Sequence, residues 1–134
     1  MKDEEKVVFL KAVLSMATVD DDVDLAEMKF FSRLSDLLGL NGMEIANIQA
    51  DVLKGKETTE DYLEGIKERG TKLQLLYEMV SIASSDDNYD EAEHKKIREA
   101  ANTLGIETGK LEEIEKLVSE EMELLKKKER ILEY

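Results

Sequence analysis

The sequence predicts an all-α fold, a compact bundle of about seven helices built from two pseudo-repeats of helix, acidic loop and helix. The 134 residues include no proline, and 42% of them are hydrophobic. Apolar residues recur at steps of three and four, as on the buried face of a helix. Polar breaks that carry capping residues or glycine separate these stripes. A chain of this length is predicted to form a single domain over residues 1–134.

The first half predicts three helices. The first ends near Thr18 and carries a stripe formed by Phe9, Leu10, Val13 and Leu14. The second ends at Gly39, because glycine readily adopts the left-handed conformation that terminates a helix, and its stripe is formed by Met28, Phe31, Leu34 and Leu38. Asn41 and Glu44 predict a capping box at the start of the third.

The second half predicts four more helices. A short connecting helix at about residues 58–69 begins at the capping pair Thr58 and Asp61 and ends at Gly70. Thr71 is expected to cap the fifth helix. The sixth ends at Gly105. The seventh is capped near Thr108, and its inner stripe is formed by Leu111, Ile114, Val118, Met122 and Leu125.

The two halves correspond at an offset of 66 residues. Asp20, Asp24 and Glu27 align with Asp86, Asp90 and Glu93, and Gly39 aligns with Gly105. The apolar stripes before each acidic loop align as well. This pattern indicates pseudo-repeats at about residues 5–54 and 71–125, packed about an approximate two-fold axis.

Composition excludes several functions. The net charge of −13 opposes binding to nucleic acid and to anionic lipid. The absence of cysteine excludes thiolate catalysis and thiolate metal sites, and it suits the cytoplasm. The most apolar early stretch is interrupted by Lys11, so no membrane insertion is expected. No phosphate-binding glycine loop or nucleophile elbow occurs, so the protein is not expected to be an enzyme.

The acidic loops have two interpretations. Asp24 with Glu27, and Asp90 with Glu93, have the spacing of helix caps. Capping does not explain Asp20 and Asp86, and crowded carboxylates are ligands that Ca²⁺, Mg²⁺ or Mn²⁺ prefers. The loops do not match an EF-hand, because the sixth loop position of an EF-hand requires glycine and is occupied here by Leu25 and Glu91. The candidate metal ligands are therefore Asp20, Asp24, Glu27, Asp86, Asp90 and Glu93.

His94, the sole histidine, aligns with Met28, which favours an ordinary helix residue over a ligand.

A repeated pattern Asp-Gly-x-Val-x-x-x-Glu between two helices resembles that of the TerB-like domains, which include tellurite-resistance TerB proteins and the N-terminal domain of a membrane-anchored DnaJ-type co-chaperone. The pattern is matched by Asp20, Val23, Asp24 and Glu27, and then by Asp86, Tyr89, Asp90 and Glu93. The expected glycine is replaced by Asp21 and Asp87, and Tyr89 replaces the small apolar residue in the second copy. The resemblance implies an all-helical fold, a role in stress-response or membrane-surface assemblies, acidic metal binding and no catalysis.

The leading hypothesis is a non-enzymatic module that binds a partner protein, with divalent cations held at the two acidic loops. The alternative is a purely structural or oligomeric protein whose acidic residues only cap helices and confer solubility. A third candidate is an acidic mimic of nucleic acid that binds basic proteins. The sequence leaves the partner and the oligomeric state open.

Overall fold

A computed structural model describes residues 3–17, 25–84 and 89–133, and within α1 and α2 it leaves the side chains of residues 17, 25–27 and 30 undescribed. The helices in these ranges are α1 Asp3–Ala17, α2 Leu25–Leu37, α3 Gly42–Lys54, α4 Thr59–Glu64, α5 Arg69–Ala83, α6 Glu91–Leu104 and α7 Thr108–Leu132. No strand occurs in these ranges, so the predicted all-α fold is confirmed. None of the helices within them is both long and apolar enough to cross a lipid bilayer.

Helices α1 and α5 form the centre of the bundle. α1 packs against α2, α3, α4 and α5, and α5 packs against α1, α2, α6 and α7. The stripe predicted for α1 is buried, and the fully enclosed side chains of the two helices include Phe9, Leu10, Leu75 and Leu76. One hydrophobic core contains residues from each of the seven helices named above.

The two capping boxes predicted from the sequence are present. The Asn41 side chain accepts a hydrogen bond from the Glu44 backbone nitrogen at 2.8 Å, and the Glu44 carboxylate accepts one from the Asn41 backbone nitrogen at 3.2 Å. Thr58 and Asp61 exchange the equivalent bonds at the start of α4. These reciprocal bonds satisfy backbone donors that have no partner within the helix.

Gly39 and Gly105 end α2 and α6 in the same way. Both glycines have φ of 74°, the left-handed conformation that side chains other than glycine rarely adopt. The next backbone nitrogen bonds back across the last turn in each case, from Leu40 to Ser35 and from Ile106 to Ala101. The two bonds are related by the 66-residue offset. The duplication itself remains a prediction.

The predicted start of α5 was wrong. We expected Gly70 to end the fourth helix and Thr71 to cap the fifth, but α4 ends at Glu64 and α5 begins at Arg69. Thr71 is buried inside α5. The reason is tertiary: Ile66 enters the core directly after α4, so the chain reaches α5 within a few residues.

The start of α7 was predicted at the right place, but its first turn has no side-chain cap. Glu107 occupies the N-cap position of α7, but its side chain accepts no hydrogen bond from the backbone of the first turn of that helix. The Glu107 carboxylate instead accepts two hydrogen bonds from the Arg69 guanidinium, at 2.8 and 3.1 Å. The ion pair joins the first turns of α5 and α7.

Helix α7 is nearly twice as long as its counterpart α3. The two begin at equivalent positions, Gly42 and Thr108, but α3 ends before Gly55, which has φ of 65°. The equivalent position in α7 is Glu121, and the helix continues to Leu132. We call residues 121–132 the α7 extension. Leu125, which was predicted to face the core, is 48% exposed in this extension, so that assignment was wrong.

Candidate functional site

The six predicted metal ligands are only partly described. Asp20, Asp24 and Asp86 lie outside the described residues, and Glu27 lies in α2 with its side chain outside them. Asp90 and Glu93 are described: Asp90 directly precedes α6, and Glu93 lies in its first turn. The structure therefore bears on the second acidic turn alone.

Asp90 is the N-cap of α6. Its Oδ1 accepts a hydrogen bond from the Glu93 backbone nitrogen at 2.8 Å, and its backbone is extended, with φ of −86° and ψ of 175°. Its negative charge also lies at the positive end of the helix dipole, as do those of Glu91 and Glu93. The capping role predicted for Asp90 is confirmed.

Replacing Asp90 separates the cap from the charge. Asp90→Ala should lower the free energy of unfolding by about 1 kcal/mol, because it removes the acceptor for the Glu93 nitrogen. Asp90→Asn should lower the free energy of unfolding by no more than about 0.3 kcal/mol, since asparagine caps a helix about as well as aspartate does. Urea denaturation followed by circular dichroism measures both. Equal losses for the two variants would show that charge, not the cap bond, dominates at this position.

A polar cluster links the start of α6 to α7, and we call Tyr89, His94, Arg98 and Glu115 the His94 cluster. Glu115 Oε2 accepts from the Tyr89 hydroxyl at 2.8 Å and lies 2.6 Å from His94 Nδ1. The other ring nitrogen, Nε2, lies 2.5 Å from an Arg98 guanidinium nitrogen. The Tyr89 and His94 rings meet edge to face with centroids 5.8 Å apart.

The hydrogen-bond pattern assigns a role to each ring nitrogen of His94. A guanidinium can only donate, so Nε2 accepts from Arg98 and Nδ1 carries the hydrogen that it donates to Glu115. Both nitrogens are thereby engaged within the protein. His94 is accordingly a structural residue that orients Glu115, as its alignment with Met28 suggested.

Tyr89 is held in its neutral form. Burial raises the pKa of the Tyr89 phenol well above its usual range, and the hydrogen bond to the Glu115 carboxylate raises it further. Tyr89 also packs against the hydrophobic core, in place of the small apolar residue of the TerB-like pattern.

A cleft of about 360 Å³ lies beside this cluster. Its walls are formed by Ser84, Tyr89, Glu115, Ser119, Met122, Glu123 and Lys126. Ser84 and Tyr89 flank the segment 85–88, which contains Asp86 and Asp87. The walls thus contain two carboxylates, Glu115 and Glu123, and one cation, Lys126, together with the two residues that flank the second acidic turn.

Within the described ranges, no three His, Asp or Glu side chains are grouped closely enough to hold a metal ion. The sequence missed the His94 cluster because Glu115 lies 26 residues after Tyr89 along the chain. No spacing rule connects positions this far apart, and only the packing of α7 on α6 brings them together.

A second tyrosine–glutamate pair joins α5 to α7. The Tyr77 hydroxyl lies 2.6 and 2.8 Å from the two carboxylate oxygens of Glu121. This hydrogen bond raises the pKa of Tyr77 to about 12, with burial as the next contribution. Glu121 is the first residue of the α7 extension, so the bond fixes the base of the extension to the bundle.

Comparison with known protein families decides the assignment. The family model of the tellurite resistance protein TerB matches residues 43–116, more than half of the chain. The chain belongs to the TerB family. No curated protein and no solved structure matches it. The matched region contains the second acidic turn and the whole His94 cluster, and it ends before the α7 extension. Membership in the TerB family indicates a tellurite-resistance-type helical module.

Proposed function

We propose that this TerB-family chain is a non-enzymatic module that binds a protein partner and holds divalent cations at its two acidic turns. The observation that carries the proposal is the acidic surrounding of the second turn. Segment 85–88, with Asp86 and Asp87, connects two residues of a cleft whose walls also contain Glu115 and Glu123. Carboxylates brought close together repel one another unless a cation or solvent screens them, and Lys126 supplies one positive charge in the cleft wall.

The donor chemistry favours hard cations. Both nitrogens of His94 are engaged by protein groups, and the chain has no cysteine, so the turn offers oxygen donors. Oxygen donors suit Ca²⁺, Mg²⁺ or Mn²⁺, whereas nitrogen and sulfur donors suit zinc. The residues that would hold the ion are Asp86, Asp90 and Glu93 in the second turn and Asp20, Asp24 and Glu27 in the first.

The cap on α6 is compatible with this role. The bond to the Glu93 nitrogen uses Oδ1 of Asp90. A carboxylate has two oxygens and about four lone-pair positions, so one group can cap a helix and contact an ion at the same time. Cation binding at Asp90 therefore requires no loss of helix α6.

Calorimetric titration of the full chain with Ca²⁺, Mg²⁺ and Mn²⁺ tests the proposal. We expect binding heat and a raised melting temperature at millimolar or lower ion concentration, because a ligand that binds only the folded state stabilises it. Asp86→Asn and Asp90→Asn should each weaken binding at least tenfold while preserving the fold. Asp36→Asn, an exposed position on α2, is the matched control. Absence of heat and of a melting shift would remove the cation from the proposal.

The alternative is a purely structural or oligomeric helical protein. The capping bond of Asp90 is the observation that favours it, because the cap alone explains that residue. Under this alternative, Asp86→Asn leaves stability and ion response unchanged.

The proposed setting of the interaction module is a stress-response or membrane-surface assembly in the cytoplasm, and the partner is a protein.

A further inference from the structure

Helix α7 exposes an apolar stripe that begins at Leu117 and continues through the α7 extension. Leu117, Leu124, Leu125, Ile131 and Leu132 are between 48% and 67% exposed. Their spacing of seven, from Leu117 to Leu124 to Ile131 and from Leu125 to Leu132, places them on one side of the helix. Glu121 and Lys128 occupy the same side between them. We call these seven residues the α7 stripe.

Within the described ranges most of this stripe is uncovered, and the exception is Glu121, whose carboxylate accepts a hydrogen bond from the Tyr77 hydroxyl. Every residue from Glu123 to Glu133 is exposed, although helix α7 is continuous to Leu132. The twelve residues of the extension span roughly 18 Å at 1.5 Å per residue. An apolar face of this length on a helix is typical of a surface that packs against another helix.

The charges of the stripe identify the partner helix. Glu121 and Lys128 are its only charged residues, and they lie symmetrically about the midpoint between Leu124 and Leu125. Around them, acidic residues precede the midpoint at Glu120 and Glu123, and basic residues follow it at 126–128 and 130. A helix with this distribution is complementary to a reversed copy of itself, apart from Glu129, which would oppose Glu120.

We propose that the α7 stripe packs against the α7 stripe of a second copy of this chain, antiparallel and centred between Leu124 and Leu125. This register opposes Glu121 to Lys128 of the second copy, twice by symmetry, and Leu117 to Leu132. The Glu121 carboxylate retains lone pairs for Lys128 besides those that accept from Tyr77. A parallel pair would instead oppose Glu121 to Glu121 and Lys128 to Lys128, and like charges at facing positions are unfavourable. The contact is isologous, so it closes as a two-fold dimer.

The dimer forms against the net charge of −13 on each copy. At physiological ionic strength the screening length is about 8 Å, so remote charges contribute little while facing pairs still interact. The inference is independent of cation binding, because the stripe shares no residue with the acidic turns. Absence of cation binding in the calorimetric titration would not contradict the proposed dimer. Absence of self-association would likewise not contradict cation binding.

Sedimentation equilibrium of the full chain at 0.15 M salt tests self-association. We expect the mass to rise from that of one chain, 15.3 kDa, to that of two as the concentration increases from about 10 μM to about 1 mM. The double variant Leu124→Gln, Ile131→Gln should weaken association at least tenfold with an unchanged melting temperature. Leu53→Gln, which alters a leucine 76% exposed on α3, is the matched control. A monomer at every concentration, or equal weakening by the control, overturns the proposal.

Two further measurements test the orientation. Lys128→Glu should weaken association several-fold, because it places two carboxylates at each facing position. The chain lacks cysteine, so Glu112→Cys gives a single site for a nitroxide label. In the antiparallel dimer the two labels lie on the order of 40 Å apart, from 25 residues of helical rise plus the interhelix distance. A label distance under about 20 Å, typical of a parallel pair, overturns the proposed arrangement.

Discussion

Leu76→Ala should lower the free energy of unfolding by roughly 3 kcal/mol, a large loss for truncating one side chain. Leu76 is fully buried in α5, a helix that packs against four others. Truncation removes apolar contacts and leaves a cavity that the surrounding helices fill only in part. Urea denaturation measures the loss, and the melting temperature should fall by roughly 10 °C.

Leu53→Ala is the control for this prediction. It makes the same chemical change at an exposed position on α3, and it should alter the free energy of unfolding by less than about 0.5 kcal/mol. A loss at Leu76 no greater than that at Leu53 would mean that α5 is not at the centre of the bundle.

Glu115→Ala should lower the free energy of unfolding by roughly 2 kcal/mol. Its carboxylate accepts from both Tyr89 and His94, and its side chain is only 18% exposed. Removing it leaves two partly buried donors without their acceptor, and a bond to a charged group is worth about 1.5–3 kcal/mol. Glu115→Gln should recover part of the loss, because the amide oxygen still accepts a hydrogen bond. Urea denaturation measures both variants.

A double-mutant cycle isolates the tyrosine bond from the rest of the effect. Tyr89→Phe combined with Glu115→Ala should cost less than the sum of the single changes, by at least about 0.5 kcal/mol. Glu112→Ala, an exposed glutamate on the same helix, should change stability little. Strict additivity of the two single variants would show that the Tyr89–Glu115 bond contributes nothing net.

The helices could be predicted wherever their boundaries depend on neighbouring residues. Asn41 and Thr58 each cap a helix through a residue three positions later, and Gly39 and Gly105 each end one through a left-handed backbone. These effects act within a few residues, so the sequence displays them directly. Thr71 has the same local signature, but the burial of nearby Ile66 decides where α5 begins. A local rule cannot weigh a contact made with distant helices.

In the candidate site, too, local features could be predicted from the sequence and contacts between distant residues could not. The cap made by Asp90 is local and was predicted, whereas the His94 cluster depends on Glu115 from the next helix, α7. The exposed stripe of α7 was not predicted, because the second pseudo-repeat was drawn to about residue 125 with Leu125 on the buried face. The offset of 66 places Glu121 where α3 is terminated by Gly55, and that comparison was open to sequence reasoning.

The continuation of α7 beyond residue 120 separates two sets of constraints on substitution. Substitutions within the bundle must preserve packing around α1 and α5, but residues beyond Met122 are exposed along the whole of their length. Substitutions on the α7 extension should leave the folding of the bundle unaffected, and under the proposed dimer they would change the surface that the extension packs against. Related chains with the same bundle could therefore acquire different assemblies by varying a dozen residues at one end.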